Sequence, residues 1–175
     1  MRHRFKGRKL GRNGSHRSAL FMNLARGLIL TLDQGSGAKV EGRIRTTLAK
    51  AKEIQPFVER LVAIAVRARV SAVTADGLKS GLDRCSEEWK GWRKSESGQN
   101  WLAAQAKYIH LHRSLFSVLK SNQIVDLLIR GVGDRFATRP GGYTRVVKVA
   151  KRRLADGAFM ALLEFVGEPN VLVLE

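Results

Sequence analysis

Along the chain, apolar residues recur first at helical spacing. Leu20, Phe21, Leu24, Leu28 and Leu32 stand three and four positions apart, which puts them on one face of a helix starting near Ser15, with Asn13 or Ser15 as its cap. Asp33-Gln34-Gly35-Ser36-Gly37 consists of turn formers and ends it. Val40 to Thr47 alternates loosely, with Val40, Gly42, Ile44 and Thr46 opposite Glu41, Arg43 and Arg45, and predicts a short strand. Lys50 to Arg69 returns to helical spacing through Ile54, Val58, Leu61, Val62 and Ala65. Pro56 must then lie in the first turn or kink the helix.

Residues 71–100 are less regular, and Glu87 to Gly98 reads as a solvated, loop-rich excursion. Asn100 to Leu119 is helical through Leu102, Ala106, Ile109, Phe116 and Leu119, and Ser121 or Asn122 caps a shorter helix running to Arg130. Gly131-Val132-Gly133 reads as a helix stop, since it lacks the third glycine and the preceding strand of a dinucleotide loop. Tyr143, Arg145, Val147 and Val149 alternate with Thr144, Val146 and Lys148, and Ala158 to Val166 is a mostly apolar run. The polar stretch between them, Lys151 to Gly157, suits an antiparallel hairpin. The predicted class is α+β, with helices packed on a small sheet of about three strands.

Charge changes the picture. The 175 residues hold 32 Lys and Arg against 15 Asp and Glu, a formal net charge of +17, which repels itself in a compact state unless a polyanion offsets it. The length suits one core with appendages. Before Asp33 there is no acid, only Arg2, Arg4, Lys6, Arg8, Lys9, Arg12, Arg17 and Arg26 with His3 and His16. Glycines at 7, 11 and 14 and little apolar content leave residues 1–14 too poor in buried surface to offset chain entropy. A basic arm that orders on RNA is expected.

Other partners are disfavoured. No run of about 18 apolar residues exists to span a bilayer, and Phe5 to Ser18 is basic and polar where a signal peptide would be apolar. A cytosolic, non-membrane protein is expected. The single Cys85 has no companion for a disulfide or a zinc site. His110 and His112 are two apart, so on a helix they point in different directions and do not converge on a metal. Trp89, Trp92 and Trp101 suit local packing better than stacking on RNA bases. No carboxylate pair, Ser/His/Asp set or phosphate loop has a convincing context, so no enzyme, cofactor, metal or small-molecule substrate is expected. A constituent of a ribonucleoprotein, an RNA chaperone or DNA architectural factor, and an RNA-modifying enzyme all share the basic charge.

Four blocks, in order, separate these classes. Met1-Arg2-His3-Arg4 with Gly7-Arg8-Lys9-Leu10-Gly11-Arg12 and Ser15-His16-Arg17 is the first; Arg43 to Leu48 with Lys50-Ala51-Lys52-Glu53 is the second. Arg135-Phe136-Ala137 with Arg139 and Gly141 to Arg145 is the third, and Asp156, Met160-Ala161 and Glu164 the last. They resemble the bacterial large-subunit ribosomal protein L-seventeen family over about two thirds of the chain. The resemblance implies helices against a small mixed sheet, contact with large-subunit ribosomal RNA and neighbouring large-subunit proteins, and a place toward the nascent-chain exit side. It implies an RNA-facing role for Arg2, His3, Arg4, Lys6, Arg8, Lys9, Arg12, His16 and Arg17, for Thr46, Thr47, Lys50 and Lys52, and for Arg139, Tyr143 and Arg145. The chain departs from the family pattern at Val40, Ala49, Pro56, Ala155 and Phe159. Insertions are read near 31–39 and 70–107, within a single domain over 15–169 that follows the arm and precedes a tail at 170–175.

Overall fold

Asn13 opens the first helix. In a computed structural model of the chain, its side chain accepts the His16 N–H at 2.8 Å and so satisfies one of the unpaired donors of a helix start. The structure describes residues 7–33, 35, 37–84 and 86–167. Their order is α1 (Gly14–Leu30), β1 (Arg43–Thr47), α2 (Leu48–Gly77), α3 (Glu87–Lys94), α4 (Glu96–Leu119), α5 (Asn122–Leu127), α6 (Gly133–Arg135), β2 (Thr144–Arg152) and β3 (Phe159–Phe165). A π-helical turn over Leu128–Val132 joins α5 to α6. The chain divides into two compact units, one of residues up to Leu61 and from Arg139 onward, the other Val62–Thr138.

The first unit holds the sheet. Its order is β1-β3-β2, and both β1 and β2 run antiparallel to β3. The expected α+β class and three strands are present, but the sheet is antiparallel where the resemblance implied a mixed one, because no two neighbouring strands run the same way. Strand β1 starts at Arg43 and not at Val40, because Gly42 takes φ +68° and turns the chain immediately before it. Side chains alternate across the strands. Ala161, Leu163 and Phe165 of β3 are buried with Thr46 and Thr144. Ala25, Leu28 and Ile29 of α1 and Ala51, Ile54, Val58 and Leu61 of α2 complete this unit's core.

Helix α2 begins directly after β1 and extends to Gly77, eight residues beyond the expected end at Arg69. Pro56 lies inside it, past the first turn, where it removes one backbone donor. Several hydrogen bonds tie α2 to the start of β2. Glu59 accepts from the Tyr143 and Thr144 N–H groups at 3.0 and 2.7 Å, and Gln55 Nε2 donates to the Thr144 carbonyl at 3.1 Å.

The second unit is helical. Its core includes Val62, Ala65, Leu115, Leu119, Val125, Leu128, Ile129 and Val132. The excursion expected over Glu87 to Gly98 is instead helix α3 and the first turn of α4. Ser86 and Ser95 cap these helices by accepting the Trp89 and Gly98 N–H groups at 3.1 and 3.4 Å. In α3, Glu87 and Glu88 occupy the first turn and Arg93 and Lys94 the last, which complements the helix dipole at both ends.

Gly131-Val132-Gly133 does not stop the helix as expected. The chain continues through the π turn into α6, and Gly133 serves close packing. A Cβ there would come within 3.0 Å of Arg69 Cβ and 3.3 Å of the Ala65 carbonyl oxygen.

Candidate nucleic-acid interface

The arm residues that lie among the described ones do not extend freely. Arg8 donates its backbone N–H to Glu53 Oε2 at 3.2 Å, and its Nε stands 3.4 Å from Oε1 of the same carboxylate. Gly7 makes this approach at φ +81°, a conformation that a side chain would strain, and a Cβ there would come 3.2 Å from Glu53 Oε2. The Arg12 N–H donates to the Lys9 carbonyl at 3.1 Å and its Nη1 to the Leu10 carbonyl at 2.7 Å. The expectation of an unstructured arm is therefore corrected for residues 7–14, because Glu53 on α2 supplies an anchor that composition does not reveal. Arg2, His3, Arg4 and Lys6 lie outside the described residues.

This anchored turn forms one wall of a groove of about 480 Å³. Arg8 and Arg12 line it from the arm, Thr47, Lys50 and Lys52 from the β1–α2 corner, and Arg153 and Phe159 from the β2–β3 hairpin. Five cations thus converge on one concavity with a single lining carboxylate, Asp156. That carboxylate is engaged by Arg153, whose Nε donates to Oδ1 at 2.7 Å and whose Nη2 donates to Oδ2. The bidentate pair holds the Asp156 carboxyl at about 2, below its ordinary 3.8, with the Ala158 N–H as the next cause. Cations in a concave site attract phosphate and release its counterions, and Arg adds paired hydrogen bonds.

Of the residues marked by the resemblance, Arg8, Arg12, Thr47, Lys50 and Lys52 come together here. Lys9 and His16 are exposed on the arm and the first turn of α1, and Arg17 is half-buried. Thr46 turns inward. Tyr143 is 5 % exposed, and its hydroxyl donates to the Arg139 carbonyl at 3.2 Å, which secures the start of β2. Arg139 stays exposed at the surface, its Nε donating to the Gly141 carbonyl at 3.0 Å.

Arg145 is on the outer sheet face with a partner. Glu164 faces Arg43 and Arg145 across the strands, and both guanidinium groups bond it, Arg43 through Nε at 2.5 Å. The Glu164 side chain is 3 % exposed. Two residues escaped the sequence reading. Arg153 had a usable signal in its i,i+3 spacing to Asp156 within a turn; Arg43 had none, because its partner comes from the opposite end of the chain. Among the described residues no cluster of potential metal ligands occurs, and His112 Nε2 stands instead 3.5 Å from Asp126. No helix among them is long and apolar enough to cross a membrane.

The family described as "Ribosomal protein L17" matches residues 39–166. A "Large ribosomal subunit protein bL17" from Rhodopirellula baltica is 44% identical over 96% of this chain and 82% of its own length. One of the same name from Nitratidesulfovibrio vulgaris strain Hildenborough is 35% identical over 94% and 87%, and one from Salinibacter ruber 34% over 98% and 61%. With a match over most of its length and such relatives, the chain belongs to the ribosomal protein L17 family.

Proposed function

We propose that the protein is a structural, non-enzymatic constituent of the large ribosomal subunit, working in the bacterial cytoplasm, and that it binds ribosomal RNA through the basic groove. Family membership supports the place in the large subunit. The groove supports the mode of contact, since cations from the arm, the β1–α2 corner and the hairpin share one concavity. RNA bound there would tie these three segments together, and each phosphate neutralised would release condensed counterions. The exposed Lys9, His16 and Arg139 extend the contact beyond the groove, and neighbouring large-subunit proteins cover other surfaces. An RNA chaperone or DNA architectural factor shares the charge but not the family.

The test is the salt dependence of binding to large-subunit RNA, followed by filter retention. If about six phosphates are contacted, log K falls against log salt with a slope near −4 for single-stranded RNA. An Arg12→Gln/Lys50→Gln/Lys52→Gln variant should lower that slope by about 2 in magnitude. An unchanged slope in this variant would remove the groove from the interface.

A further inference from the structure

A second basic concavity lies in the helical unit, far along the chain from the arm. It is a groove of about 400 Å³ lined by Trp89, Lys90, Arg93, Lys94, Gln99 and Leu102. None of these residues is acidic. Arg93 Cζ sits 5.4 Å from the centre of the Trp89 ring. Trp101 is in contact with both other tryptophans, its ring 6.5 Å from Trp89 edge-on and 5.7 Å from Trp92. All three tryptophans stay half-buried, and of them Trp89 lines the groove, with a cation beside it.

The three charged side chains that line the groove are all cations. Lys90 is paired with Glu87 at 2.6 Å, while Lys94 makes no ion pair among the described residues. Gly98 brings the start of α4 hard against α3, since a Cβ there would lie 2.2 Å from the Trp92 carbonyl oxygen. The groove wall is therefore set by backbone contact. A flat aromatic face, a guanidinium and a free ammonium in a concavity of nucleotide size match a base and its phosphate, the combination by which single strands are held. An acidic protein segment would satisfy the cations but brings no flat ring to the half-buried Trp89.

We propose that this groove binds one nucleotide of single-stranded RNA, the base against Trp89 and the phosphate at Arg93 and Lys94. The inference rests on the ribosomal RNA-binding function above and adds a site within the insertion read near 70–107. All three tryptophans of the chain belong to this cluster, so intrinsic tryptophan fluorescence reports on it alone.

The experiment titrates the full chain with dye-labelled oligoadenylate. Anisotropy of the label reads binding at any site, and tryptophan quenching reads the groove. Quenching should accompany binding, and Arg93→Gln/Lys94→Gln should weaken the quenching isotherm by about ten-fold while anisotropy still rises through the arm. Should the double variant lose helical circular dichroism, Lys94→Gln alone serves, with a smaller shift in the same direction. Anisotropy without quenching, or quenching indifferent to these substitutions, overturns the groove and leaves the ribosomal reading standing. Neither signal overturns both. Equal quenching by polyglutamate replaces RNA with an acidic protein as occupant and overturns the assignment.

Discussion

The carboxylate of Glu59 accepts both the backbone N–H and the hydroxyl of Thr144, at 2.7 and 2.6 Å. A third bond, from the Tyr143 N–H at 3.0 Å, completes the clamp. Thr144 is buried, so losing the acceptor strands its N–H without water. Glu59→Ala should destabilise the protein by about 2–3 kcal/mol and Glu59→Gln by about half of that, since a buried unpaired donor costs about 1–3 kcal/mol. Urea unfolding followed by circular dichroism measures both; equal stability of Glu59→Ala and the parent would refute the clamp.

Across the outer sheet face, the two arginines on Glu164 are not equivalent. Arg43 is 18 % exposed and Arg145 46 %, so solvent screens the second pair far more. Arg43→Ala should cost about 2 kcal/mol, in the range for breaking a largely buried charged bond, and Arg145→Ala less than about 1 kcal/mol. The reverse order in thermal or urea denaturation would contradict this account of the face.

Gly98 is predicted to be intolerant of any side chain. Its substitution to Ala drives a methyl group into the Trp92 carbonyl and the Arg93 backbone, and no flexible side chain stands there to yield. Gly98→Ala should therefore separate α3 from α4 and shift tryptophan emission toward that of solvated indole. Native emission in that variant would show that the helices can part without disturbing the cluster.

What the sequence made legible follows from where periodicity is long. Helix α1 and the β2–β3 hairpin were readable because apolar positions repeat over several turns or alternate over a whole strand. Helix α3 was not, since eight residues with only Trp89 and Trp92 as large apolar groups give too short a pattern, although Ser86 followed by Glu87 and Glu88 carries a helix-start signature. The groove was half visible. Lys50, Lys52, Arg8 and Arg12 stood out by resemblance, but Arg153 joins them only because the hairpin returns to the β1–α2 corner. The burial of Tyr143 was not legible, because the acceptor that draws its backbone inward, Glu59, lies on another element.

Asp156 should titrate far below ordinary carboxylates. Its folded value of about 2 lies under the ordinary 3.8, so its contribution to stability is complete above the unfolded value and is lost as pH falls from about 3.8 through about 2. Arg153→Ala removes the largest cause and should return the midpoint toward 3.8. Carboxyl chemical shifts followed by NMR give both midpoints, and a variant that still titrates near 2 would mean that Arg153 does not hold this turn of the groove wall.

Membership of the large subunit is tested most directly by quantitative mass spectrometry of native ribosomal subunits separated on a sucrose gradient after a high-salt wash. A buried fit within folded ribosomal RNA, added to dispersed phosphate contacts that salt by itself loosens, should retain the protein in stoichiometric amount with the other large-subunit proteins. Its recovery mainly in free fractions, or with DNA, would contradict the account.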